Sequence, residues 1–140
     1  MILHFNYEEL RALRSGAEAL LEREGVEAST VLAPTETRAR VEALLPMLEG
    51  DVSLSTLEEL RDIQAAVSAI VEGLRVEMES NVVMTHAAHE GAVAAYFDFA
   101  HGFTVAHRIG EMASEMEALI ELVTGEAPTG ESARTFQFPD

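Results

Sequence analysis

Cysteine is absent from the 140 residues, which excludes disulfides, thiolate catalysis and cysteine-based zinc sites together. Lysine is absent too, so all 9 basic residues are arginine. No uncharged apolar run approaches the roughly 18–20 residues that a bilayer span requires. The opening stretch MILHFNYEEL carries neither the basic lead nor the apolar core of a secretory signal. There is no glycine-rich phosphate loop, no G-x-S-x-G nucleophile elbow, no internal repeat and no low-complexity segment. A soluble, cytoplasmic location is the expectation.

Carboxylate is what the chain has in excess: 25 Asp and Glu against 9 Arg give a formal net charge of −16. Phosphate backbones are bound by cations that release counterions, so a surface this acidic should repel nucleic acid and anionic membranes. Mimicry of a nucleic acid would be the exception, and it needs a charge geometry beyond what sequence provides. With 48% hydrophobic residues the chain can build a core, and its length suits one domain. That domain is expected over 1–125, with 126–140 as an extended tail docked through Phe136 and Phe138.

Periodicity points to an all-α helical bundle. Asn6 followed by Glu9 forms a capping-box pattern. Leu10, Leu13, Ala17, Leu20 and Leu21 then recur at helical spacing, with Gly25 as the stop. After the linker VEASTVLAP, a second helix starts near Thr35 with Val41, Leu44, Leu45 and Leu48 on its apolar face. Pro46 lacks a backbone donor, so this helix should kink or end there. Ser55 with Glu58 predicts the cap of a longer helix carrying Leu57, Leu60, Ile63, Val67, Ile70, Leu74 and Met78. A further series runs Val93, Phe97, Ala100, Phe103, Ala106, Ile109, Ala113, Met116, Ile120 and Val123, ended by Gly125.

Two shorter N-terminal helices packed on a long antiparallel helical hairpin follow; residues 82–90 either turn or continue one very long helix, and Asn81, Thr85 and Gly91, which can break a helix, favour the turn. A β-hairpin across Glu90 and Gly91 is the competing reading there. The flanking segments are rich in alanine, a helix former, so helix is preferred.

The stretch THAAHEGAVAAYFDFAH offers the only chemical cluster. His86, His89, Glu90, Asp98 and His101 are all acceptable ligands for zinc, iron or manganese. A straight helix rises about 1.5 Å per residue, which leaves Glu90 and His101 roughly 16 Å apart. One helix therefore cannot gather the set around one ion; a sharp turn near Gly91 or a second, antiparallel copy of the helix could. The spacings match neither the E-x-x-H pairs of di-iron bundles nor H-E-x-x-H. Histidines held in a packed seam are the simpler expectation, and metal binding is the alternative.

Tyr96, Phe97 and Phe99 point in different directions on a helix, so this segment should be covered on more than one side. The expected interface is Ala92, Ala95, Tyr96, Phe99 and Phe103, joining two copies as a homodimer. Between Arg108 and Arg134 lie only acidic charges, with Glu111/Glu115 and Glu117/Glu121 as like-charge pairs four apart, which destabilise a helix slightly. A basic protein partner would explain that pattern through Glu111 and Glu115, with Phe136 and Phe138 as further contacts. The functional expectation is a non-enzymatic interaction, regulatory or scaffold protein, and the alternative is a metalloprotein or metal-dependent enzyme.

Overall fold

The computed structural model describes residues 1–22, 34–83 and 89–139, with side chains described at 1–22, 36–80 and 91–139. The chain is an all-α bundle. In order, a short strand β1 (Ile2–Leu3) leads into α1 (Tyr7–Glu22), and α2 (Pro34–Leu44) runs into a 3₁₀ turn at Leu45–Met47. After them come a second short strand β2 (Val52–Ser53), α3 (Leu57–Val83), α4 (His89–Thr124) and α5 (Gly130–Thr135). Among the described residues no helix is long and apolar enough to cross a membrane.

The ends of the helices follow from local chemistry. Asn6 Oδ1 accepts from the Glu9 N–H at 2.8 Å, and the Asn6 N–H donates to Glu9 Oε1 at 3.0 Å. The reciprocal cap expected from the sequence is thus made. The cap of α3 sits one residue later than expected: Thr56 Oγ1, not Ser55, accepts from the Glu59 N–H at 3.3 Å. Glu59 reaches back to the Ser55 N–H at 2.8 Å, so Glu59 takes the part assigned to Glu58. Pro46 ends α2 by converting its last turn to 3₁₀. Gly125, at φ +80, ends α4 and donates its N–H to the Glu121 carbonyl at 2.8 Å.

α3 and α4 pack antiparallel along most of their length. The Arg61–Glu117 ion pair at 3.1 Å marks one end of that seam. Nearer its middle lies Gly102, beside Leu74 and Val71, where an added Cβ would lie 3.1–3.2 Å from their side chains. α1 lies across both helices and α2 across α1 and α3. The core runs through Leu13, Val41, Leu48, Leu57, Leu60, Val67, Ile70, Val105, Ile109 and Ile120, all fully buried. Each such side chain contributes roughly 1.5–3 kcal/mol by leaving water.

Two elements depart from the sequence reading. β1 pairs antiparallel with β2, Ile2 opposite Ser53 and Leu3 opposite Val52, a contact two residues long and without periodicity of its own. Within the tail, expected to be extended, residues Gly130–Thr135 form a helical turn. Its cap is reciprocal, Thr129 Oγ1 accepting from the Ser132 N–H at 3.1 Å while the Thr129 N–H donates to Ser132 Oγ at 2.8 Å. Beyond it the Phe138 N–H donates to the Ser55 carbonyl at 2.8 Å, and the Phe138 ring enters the core cluster. The Gly25 stop and most of the VEASTVLAP linker lie outside the described residues, as do residues 84–88 within the expected turn.

Candidate functional site

The N-terminal half of α4 has a polar side and an apolar side, and they face in different directions. The polar side meets α1. Glu9 has only 3% of its surface exposed and receives Arg108 in a fork, Nη1 to Oε1 at 3.1 Å and Nη2 to Oε2 at 2.7 Å. Arg108 Nη1 also donates to the His4 carbonyl at 3.0 Å. Burial pushes the Glu9 carboxyl up. The Arg108 hydrogen bond, the Asn6 N–H and the charges of Arg108 and His101 outweigh it and hold the group below the usual carboxylate value. Nearly three turns earlier on α4, Asp98 sits 3.7 Å from Arg11 of α1.

These partners locate part of the expected metal set. Asp98 is turned to an arginine, and His101 is half-buried in the same α1–α4 seam, close enough for its charge to act on Glu9. His86 lies outside the described residues, and so do the side chains of His89 and Glu90. Among the described residues no three His, Asp or Glu side chains gather in a metal-holding group.

The apolar side of α4 faces away from the bundle. Val93, Tyr96, Phe97 and Phe103 are 53%, 55%, 52% and 58% exposed. With Ala100, Thr104 and His107 they occupy one line of the helix, spaced by three and four residues. Tyr96 and Phe97 touch edge to face at 5.6 Å between ring centres. Phe103 leans on the half-buried Phe99 at 5.9 Å. The opposite side of the same turns carries Ala95, Gly102 and Val105, all buried.

This geometry corrects the expected core series. Val93, Phe97 and Phe103 belong to the outer line, not to the seam with α3. The cause is a drift in the pattern. From Phe97 to Ile109 the apolar residues step by three four times in succession. At about 100° per residue those steps leave Phe97 and Ile109 about 120° apart around the helix. One apparent stripe is therefore two: Ile109, Ala113 and Ile120 are buried on the inner one, with Met116 packed half-buried beside them. The expected interface residues divide likewise: Tyr96 and Phe103 face outward, Ala95 is buried against the bundle, and Ala92 and Phe99 are half-buried. The signal that separates the faces is Gly102, whose missing side chain lets α3 approach.

Beyond His107 the outer line turns acidic. Glu111 lies 3.2 Å from His107 Nε2, and Glu115 and Glu121 are exposed. Phe136 packs half-buried on the core beside the buried Phe138, their rings 6.4 Å apart. Comparison with protein-family models, with curated proteins and with solved structures gave no match for this chain.

Proposed function

We propose that the chain is a non-enzymatic interaction protein that docks another protein through the outer face of α4. The observation that supports this reading is the line of Val93, Tyr96, Phe97 and Phe103, each more than half exposed and set directly opposite the buried face. Scattered single hydrophobes are ordinary on a surface, whereas contiguous aromatic patches mark contact sites. Half of a large ring's surface is about 100 Å², so the four side chains present roughly 400 Å². Covering it is worth about 10 kcal/mol at about 25 cal/mol/Å², before the cost of immobilising two molecules.

The acidic band that follows, Glu111, Glu115 and Glu121, would select against acidic neighbours and favour a basic rim on whatever a docked partner places there. The regular helix beneath the stripe gives the contact a stiff platform.

The reading is tested by the stability of the Phe97→Ser/Phe103→Ser double variant in dilute solution. Rings that serve docking leave the unfolding free energy within about 0.5 kcal/mol of the parent. A loss of about 3 kcal/mol or more per ring would place them in the core and defeat the reading.

A further inference from the structure

Building on that docking reading, we propose that the occupant of the α4 stripe is a second copy of this chain, running antiparallel and crossing at Ala100. Charge sets where two copies can meet. Two chains of formal charge −16 can approach closely only through a face free of carboxylates. The stripe is such a face: Val93, Tyr96, Phe97, Ala100, Phe103, Thr104 and His107 include none. Asp98 lies off the stripe, turned toward Arg11.

Pattern sets where they cross. A two-fold axis at Ala100 maps the stripe onto itself, as a closed homodimer requires. Phe97 then meets Phe103 of the other copy, Tyr96 meets Thr104, and Val93 meets His107. The smallest side chain of the line sits at the crossing, where the two backbones come nearest.

Electrostatics decides the direction. Glu111 and Glu115 continue the line of the stripe toward the C-terminal end of α4. In a parallel pair each would face its own copy across roughly 8–10 Å between helix axes, within a Debye length of about 8–10 Å. In the antiparallel pair, at about 1.5 Å per residue, the same groups stand roughly 30–45 Å apart. The apolar area, about 800 Å² over both copies from half-exposed rings, falls short of the roughly 1,200 Å² of a small specific interface. The dimer is therefore weak and strongly concentration-dependent.

The absence of cysteine makes the test clean. Three single-cysteine chains, Val93→Cys, His107→Cys and Ala100→Cys, are treated with a short bis-maleimide at high protein concentration, and light scattering gives the mass of the untreated parent. The antiparallel dimer requires three results together. The mass rises above the 15.2 kDa monomer with concentration, Ala100→Cys links to itself, and the mixture of Val93→Cys with His107→Cys links at least tenfold more than either chain alone. Self-linking of Val93→Cys at the level of the mixture means a parallel pair and overturns the orientation. A dimeric mass without self-linking at Ala100→Cys moves the contact elsewhere and overturns the proposal. A monomeric mass at every concentration overturns the second copy as partner. The docking reading would then still stand or fall on the stability of the Phe97→Ser/Phe103→Ser variant.

Discussion

Replacing Arg108 by alanine isolates the one buried charge in the described part of the bundle. The guanidinium gives Glu9 two hydrogen bonds and the His4 carbonyl a third. Without it, Glu9 keeps the Asn6 N–H but is left an unpaired carboxylate at a site that is only 3% exposed in the parent. Breaking a buried ion pair by removing one partner costs about 3–5 kcal/mol. The Arg108 side chain is 38% exposed, so water can enter part of its space, and about 2–3 kcal/mol is the expected loss at pH 7. With a slope of about 1–3 kcal/mol per molar urea, the unfolding midpoint should fall by about 0.7–3 M.

The pH dependence fixes the cause of that loss. The folded-state pKa of Glu9 is depressed, so the pair's contribution is fully present above the unfolded-state carboxylate pKa. It drains away as pH falls toward and through the folded-state value. The gap between parent and Arg108→Ala should therefore close on acidification. Adding Glu9→Gln to Arg108→Ala removes the stranded charge while keeping an oxygen for the Asn6 N–H, and should recover at least half of the loss. A pH 7 loss under about 0.5 kcal/mol, or a gap that persists below both pKa values, would mean that Glu9 does not depend on Arg108 for its charge.

Two glycines of the α1–α3 contact should respond in opposite directions. A Cβ at Gly16 would lie 2.7 Å from Ile70 Cγ2 and 3.1 Å from Leu74; because a β-branched side chain has little freedom to move, Gly16→Ala should cost about 1–3 kcal/mol. At Gly73 a Cβ meets nothing within 4 Å, so Gly73→Ala in mid-helix should add about 0.5–1 kcal/mol; urea titration of both variants checks the pair. At the other end of the chain, Phe138→Ala should cost about 3 kcal/mol. It should also speed hydrogen exchange at the Phe138 amide, now held by the Ser55 carbonyl. Unchanged stability would show that the tail's contact with α3 is incidental.

The legible parts of the fold were those where one residue type has one local consequence. Asn6 with Glu9, Pro46 and Gly125 end helices for reasons of hydrogen bonding and backbone conformation that do not depend on the rest of the chain. The face of α3 was legible because Leu57, Leu60, Ile63, Val67, Ile70 and Leu74 keep a steady advance, and all are buried. The face of α4 was harder because its pattern drifts, and the residues that mark its inner side are Ala95 and Gly102, small side chains with little hydrophobic signal. The β1–β2 pair and the Thr129–Ser132 cap carry little local signal for a similar reason. The first joins distant two-residue segments, and the second puts serine where the usual pattern has glutamate. Glu9 was legible as a cap, but its pairing with Arg108 joins residues 99 apart in sequence, which no local pattern encodes.

Hydroxyl-radical footprinting at two protein concentrations reads whether α4 offers water an aromatic face that a partner covers. In dilute solution Tyr96, Phe97 and Phe103 should be modified rapidly and Phe138 slowly, and concentration should protect the first three alone. Protection of Phe97 and Phe103 equal to that of Phe138 in dilute monomer would mean that these rings belong to the core and form no docking face.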